Sequence, residues 1–409
     1  MRICHVCSDF HPFIGGCETH NVSVTTFLAS RGHEVDVVVV RPSLKDLDIK
    51  NYADDKLAFL RAPAYDFPGH TRFRVHNIWP SGPILTYIEI RKKVKELEVL
   101  QGRFDVIEVH THPFALAFPL RRVVLTLHFY ELSCPSSPPI ACPECKRPSD
   151  CIACVGRARY VQWRITRDLS LRRTENIIAK YDRVAREAVS RGVRPEAFHI
   201  IPHWIDIEGV WESSRNGNRM LIGGIDGNDF VYGFIGRLDA INSIFLILEA
   251  FKTIAERDKD TKLLFIGDGQ DRHELEERIR KYGLLDRAYI SGYVQHDQIG
   301  SYLGIPDVFI CASRPGNYNW SLLEIMAAEK PVIATKAGGV EDILIDGENS
   351  VMCEADLESI LKSMVKLRDD EKLRNLIAKN ALETVRAKHS LMNLIEYEAL
   401  LQRAASGHH

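Results

Sequence analysis

The residues of this 409-residue chain best able to do chemistry fall into three groups. One is a cysteine set, CPSSPPIACPECKRPSDCIAC, with Cys142 and Cys145 in CPEC, Cys151 and Cys154 in CIAC, and Cys134 upstream. Two C-x-x-C pairs can present thiolates to one tetrahedral ion, with the polar turn between them supplying flexibility. Five residues separate the pairs, fewer than in a usual zinc ribbon, so structural zinc is read first and an iron–sulfur cluster stays open. A second group is histidines at the ends of apolar runs: His110 and His112 in EVHTHPF, and His128 in VVLTLHFYEL. If these runs are parallel strands, the histidines lie at the sheet edge where open α/β domains bind ligands. His128 ranks first and His112 second, against the plainer reading of buried structural histidines. The third group is Arg237 in FIGRL and Glu324 in FICASRPGNYNWSLLEIMAAEKPVIAT. The latter reads as strand, polar turn, helix and strand, a unit whose helix N-terminus offers free N–H groups to a phosphate or hydroxyl.

Apolar strand patterns alternate with helical ones twice along the chain. RICHVCSDF, HEVDVVVV, FDVIEVH, VVLTLHF, NIIAKY and FHIIPHW make a first set, with NVSVTTFLASRG a helix between the first two. The polar stretch SSRNGNRMLIGGIDGND reads as a linker or irregular hairpin. FVYGFIGRL, TKLLFIGDG, AYISG, DVFICAS and PVIAT make a second set, with helices IFLILEAFKTIAER and HELEERIRKYG and a closing helix from about Glu371. Apolar strands separated by helices imply parallel sheets covered on both faces, hence two doubly wound, Rossmann-like α/β domains with a hinge near Ile201 to Ile207. Apolar content of 45% and charged content of 26% are ordinary for a globular protein, and a net charge of −2 argues against a nucleic-acid binder. No apolar run approaches the ~20 residues that span a bilayer. MRICHVC opens straight into a strand pattern with no signal peptide, so a cytoplasmic protein is expected. Cys4, Cys7, Cys311 and Cys353 sit in strand contexts as inert core residues.

These segments together resemble the retaining glycosyltransferases of family four, which have the GT-B fold: two doubly wound domains facing across a cleft. The resemblance implies an acceptor-side domain at 1–204 with a Cys-rich insertion at 134–154, and a nucleotide-sugar-binding domain at 205–385. It also implies a C-terminal helix at 386–406 packing back towards the first domain; 407–409 reads as a tag remnant. In SDFHPFIGGCETH, Gly15 and Gly16 match the loop where the backbone approaches the donor diphosphate and the acceptor. His128 matches the residue contacting the transferred sugar and acceptor, with His112 on the same side. Gly236 and Arg237 match the grip on the donor's β-phosphate, a task suited to a forked, charged guanidinium. Gly267 and Gly269 match a turn that opens room below the nucleotide, Tyr293 the region reading the base, and Gly338 and Gly339 the lining of the sugar pocket. Glu324 matches the glutamate that holds the ribose. The family's second glutamate, eight positions upstream, is Gly316 here, and its lysine, five positions after the arginine, is Asn242. Arg314 and Asn317 flank the first gap.

The function implied is transfer of a sugar from a nucleoside diphosphate sugar to a hydroxyl acceptor, a glycan or a lipid-linked one. It proceeds with retention of configuration and without a catalytic metal. Because Asn242 and Gly316 remove charge, a catalytically degenerate nucleotide-sugar-binding or partner-binding subunit stands as the alternative. VGRARYVQWRITRDLSLRRT interleaves six arginines with Tyr160 and Trp163. It reads either as a solvated charged face or as a helix touching the inner face of a membrane peripherally.

Overall fold

The continuous apolar runs become central strands. In the computed structural model, the described residues are 1–8, 10, 16–41, 62, 64–66, 72–80, 83–110, 122–128, 152–153, 156–190, 192–312, 320–336 and 340–407. They form two compact units, Met1–His203 with Met392–His409, and Trp204–Leu391.

The first unit is built on β1 (Arg2–Cys7), β2 (Glu34–Val40), β3 (Ala64–Asp66), β4 (Phe73–Ile78), β5 (Val106–Val109), β6 (Val123–Leu127), β7 (Asn176–Ala179) and β8 (Phe198–Ile200). The sheet order is β3-β4-β2-β1-β5-β6-β7-β8, with only β3 antiparallel to its neighbour. β1 therefore lies between β2 and β5, and the chain switches direction of winding there. Its described helices include α1 (Gly16–Ser30), α2 (Pro83–Gln101), α3 (Arg157–Arg173) and α4 (Asp182–Ser190). FRVHNI, which is β4, was not among the strands expected from sequence. Its polar residues are buried in pairs: His76 Nε2 lies 2.8 Å from Asp36 Oδ1, and Arg41 Nε donates to Asn77 Oδ1 at 2.9 Å.

The second unit carries β9 (Phe230–Ile235), β10 (Thr261–Ile266), β11 (Ala288–Ile290), β12 (Val308–Cys311), β13 (Val332–Thr335) and β14 (Val351–Cys353). All pair in parallel in the order β11-β10-β9-β12-β13-β14, so the switch point lies between β9 and β12. Helices α5 (Ile207–Arg215), α6 (Ile244–Ala255), α7 (Arg272–Lys281), α8 (Ile299–Leu303), α9 (Trp320–Ala327), α10 (Leu357–Asp369) and α11 (Glu371–Lys388) belong to it. Tyr232, Phe234, Phe251, Leu263 and Phe265 form the centre of its core. The polar stretch expected as a linker is instead fastened down. Arg219 donates to the carbonyls of Asp226 and Asp229 at 2.8 and 2.7 Å and pairs with Asp307 at 3.2 Å.

The last helix, α12 (Met392–Ser406), packs within the first unit. Glu398 lies 2.7 Å from His33 Nε2, and Thr126 Oγ1 lies 2.7 Å from the Tyr397 hydroxyl. Cys4, Cys7, Cys311 and Cys353 are buried free thiols, as their strand contexts imply. No helix among the described residues is long and apolar enough to cross a membrane.

Two glycines have a geometric reason in the second unit. The loops after β9 and β10 lie backbone to backbone, with Gly236 N donating to Ile266 O and Leu238 N to Asp268 O, both at 3.0 Å. Gly267 has φ 142°, and a Cβ there would run into the carbonyl oxygen of Gly236; one on Gly269 would run into Leu238 O. Gly267→Ala is expected to cost about 1–3 kcal/mol by overpacking and backbone strain. Gly283→Ala, also at positive φ but with nothing near its Cβ, is the milder control. Thermal unfolding of both variants reads the difference.

Candidate functional site

Arg237 follows Gly236, which has φ 146°, at the carboxyl end of β9. Its Nε donates to Asp239 Oδ2 at 2.5 Å, while its side chain is 68% exposed. The buried Asp239 accepts from Asn242 N at 3.1 Å and so caps the single turn Ala240–Asn242. Asn242 is itself buried, and its Nδ2 donates to the Arg237 carbonyl at 2.8 Å. Ser243 then takes φ 54°, a left-handed conformation that a non-glycine residue holds only when its surroundings demand it. The turn after β9 is therefore a fixed mount for an outward guanidinium. Asn242 stands where the resemblance looks for a lysine, but its amide is engaged in holding that mount.

Glu324 lies on α9, buried, with its Oε1 3.6 Å from Nδ1 of the exposed His296. Burial pushes its carboxyl up to about 7. Ser321 Oγ, one turn earlier, donates to Ile235 O at 3.4 Å, which ties α9 to the strand end carrying Gly236 and Arg237. The structure thus brings Arg237 and Glu324 to one side of the β9–β12 switch point, the place where doubly wound sheets bind ligands. Tyr293 is half exposed beyond β11. Gly316, Asn317, Gly338 and Gly339 lie outside the described residues. Lys336 is exposed and pairs with Glu354 at 3.1 Å.

In the first unit, the carboxyl ends of β1, β5, β6 and β7 gather a buried polar cluster. His128 follows β6 and His110 follows β5, with His110 Nδ1 2.7 Å from His128 Nε2 and the rings stacked. His20 of α1 packs edge-on to His128, with ring centroids 4.6 Å apart. Glu108 Oε2 lies 3.0 Å from His5 Nδ1, Oε1 lies 2.8 Å from His110 Nε2, and the Tyr397 hydroxyl donates to Oε1. Lys180, past β7, is buried over the Tyr397 ring at 5.0 Å. Burial pushes its ammonium down to about 7 against the opposing pull of Glu108 and Cys17. His20 and His128 are held well below the ordinary imidazole range, first by burial and then by nearby positive groups such as Lys180.

Gly16 opens α1 with clear space where its Cβ would be. Gly15, His112 and all five cysteines of the proposed metal set, Cys134, Cys142, Cys145, Cys151 and Cys154, fall outside the described residues. Sequence reading passed over Glu108, His5, His20, Lys180 and Tyr397. The available signal was Glu108 itself, an acid inside the apolar run FDVIEV, two residues before His110 and so on the same face of the strand.

Comparison with known proteins fits both halves of the chain. The sequence model of Glycosyltransferase Family 4 matches residues 14–208, and that of Glycosyl transferases group 1 matches 220–384. Alpha-D-kanosaminyltransferase of Streptomyces kanamyceticus is 29% identical over 169 residues, which is 41% of this chain and 44% of that protein. Alpha-monoglucosyldiacylglycerol synthase of Acholeplasma laidlawii is 22% identical over 393 residues, 93% of this chain and 92% of that one. Among solved structures, Anabaena HepE in complex with UDP-glucose superposes with a TM-score of 0.70 at 18% identity, covering 99% of this chain and 100% of that one. Two parallel-sheet units in tandem, matched in chain order by two glycosyltransferase sequence models, place the chain in glycosyltransferase family four, with the GT-B fold and glycosyl transfer as its activity.

Proposed function

We propose that the protein moves a sugar from a nucleoside diphosphate sugar to a hydroxyl acceptor with retention of configuration, the donor resting on the second unit. The observation carrying this is the fixed, exposed Arg237 guanidinium beside the helix of the buried Glu324 at the β9–β12 switch point. Arg237 would hold the leaving diphosphate and Glu324 the ribose hydroxyls. As the C1–O bond breaks, the diphosphate departs with the electron pair, and its charge falls on the guanidinium. The acceptor oxygen attacks C1 from the same face, and its proton passes to the departing phosphate oxygen. His128 would orient the sugar and the acceptor hydroxyl. No step draws on a metal. HepE is known with UDP-glucose bound, which makes a UDP-sugar the first donor to try.

The acceptor is read as lipid-linked or glycan. Supporting the first, α3 exposes Val161, Ile165 and Leu169 at helical spacing among the exposed Arg157, Arg159, Arg164, Arg172 and Arg173. Such a face suits peripheral contact with anionic lipid, which salt-sensitive sedimentation with acidic vesicles would show. The cysteine set is read as structural zinc bordering the acceptor side, and elemental analysis of the purified protein distinguishes zinc from iron.

Function is tested by titrating UDP-, GDP- and ADP-sugars calorimetrically, then incubating any that bind with glycan and lipid-linked acceptors. The expected result is turnover to a product whose anomeric proton, followed by NMR, keeps the donor's configuration. An inverted anomer would overturn the mechanism. Binding without turnover across the panel would favour the degenerate-subunit alternative that Asn242 and Gly316 raise.

A further inference from the structure

Glu108, His110 and His128 form a chain of contacts from the interior of β5 to the sheet edge. Glu108 is fully buried. Burial alone would raise its carboxyl, but the charges and hydrogen bonds of His110 and His5 outweigh that and hold it well below the usual carboxylate range. Both of its oxygens are met by donors, Oε2 by His5 Nδ1 at 3.0 Å and Oε1 by the Tyr397 hydroxyl. His110 Nε2 also stands 2.8 Å from Oε1. A bare ring nitrogen cannot face a carboxylate oxygen that closely without lone-pair repulsion, so Nε2 carries the proton.

His110 is neutral, because burial first and His5 next outweigh Glu108 and lower it to about 4. A neutral imidazole has one ring proton, so Nδ1 of His110 is bare and can only accept. Its partner at 2.7 Å is His128 Nε2, which must therefore be the donor. His128 is neutral as well, held low by burial and then by His110 and Lys180. Its single proton is on Nε2, and Nδ1 is left with a lone pair.

We infer that Glu108, acting through His110, locks His128 in the Nε2–H tautomer, so that His128 Nδ1 accepts a hydrogen bond from a hydroxyl of the sugar or acceptor. Glu108 and His110 are then positioning residues, and His128 selects for a hydroxyl that donates. The substrate half of this inference rests on the place given to His128 under the proposed function; the tautomer does not.

Glutamine at position 108 has one acceptor oxygen where the carboxylate has two. Its amide NH2 must face either His5 or His110, and facing His110 it reverses every proton assignment outward to His128. The test is a long-range proton–nitrogen correlation spectrum of histidine-labelled wild-type protein, with His128 assigned by its loss in His128→Gln. The expected spectrum shows His128 protonated at Nε2 and bare at Nδ1. In Glu108→Gln the opposite tautomer should appear at His128. Turnover should fall at least about tenfold, as when a catalytic histidine is held in the wrong tautomer, with donor affinity on the second unit unchanged. Glu108→Asp, which keeps the charge, should recover part of the loss. An Nδ1–H or doubly protonated His128 in the wild type overturns the tautomer, whatever the activity. An Nε2–H His128, with turnover indifferent to both Glu108→Gln and His128→Gln, overturns the substrate role, and with it the place given to His128 in the proposed function.

Discussion

Arg237→Ala is expected to lower kcat/KM by about a hundredfold or more, the usual cost of removing one preorganised contact to developing charge. The side chain is 68% exposed on a turn whose shape does not depend on it. Asp239 and Asn242 hold that turn through the Asn242 N–H to Asp239 and the Asn242 amide to the Arg237 backbone carbonyl, and both bonds survive the substitution. Circular dichroism and melting temperature should therefore change little beside the loss of activity. Among the described residues the guanidinium engages only Asp239, through Nε, which leaves its two NH2 groups for a diphosphate. Arg237→Lys should not rescue, because one ammonium cannot serve Asp239 and a phosphate with the same fixed fork. Steady-state kinetics with each variant measures this; an unchanged kcat/KM would remove Arg237 from the reaction.

Glu324→Gln is expected to stabilise the protein while weakening donor binding. The carboxyl is raised by burial from 4.5 to about 7. An acid raised on folding binds its proton more tightly in the folded state. Wild-type stability should therefore fall as pH rises from about 4.5 to about 7, and level off above that. The shift corresponds to about 3 kcal/mol lost at pH 8, an order-of-magnitude figure. Glutamine removes the charge, so the variant should gain up to that amount at pH 8 and little at pH 5, read by denaturant unfolding at the two pH values. Donor affinity should move the other way. Ribose hydroxyls donate best to the ionised carboxylate, so wild-type affinity should rise with pH towards a plateau above about 7, a rise the glutamine variant lacks. A variant no more stable than wild type at pH 8 would mean that Glu324 is not a strained ligand-binding acid.

Much of the second unit was legible because buried parallel strands are continuous apolar runs that need no partner to be recognised, as in FVYGFI and TKLLFI. Arg237 and Glu324 were legible for the same reason, each following such a run at a fixed offset. The residues that escaped are those whose burial is explained only by distant partners. β4 hid behind Arg74, His76 and Asn77, and what settles His76 and Asn77 in the interior is Asp36 on β2 and Arg41 just beyond it. Glu108 depends on Tyr397, near the far end of the chain, and no local pattern announces that contact. Asn242 illustrates the opposite case. Its sequence position suggests only a missing charge, whereas the folded turn shows its amide bound to the Arg237 carbonyl. Gly267 and Gly269 were expected to open room for a nucleotide, and the structure adds a local reason: two loops meet there with no space for a Cβ.

The assignment of the donor to the second unit is tested most directly by calorimetric titration of an Arg237→Ala/Glu324→Ala double variant, alongside wild type, with whichever sugar nucleotide wild type binds. Removal of two charge-assisted contacts, each about 1.5–3 kcal/mol, should weaken binding by at least about a hundredfold in a variant whose circular dichroism is that of wild type. A folded double variant that binds the donor as tightly as wild type would contradict the assignment, and would place the nucleotide somewhere other than the β9–β12 switch point.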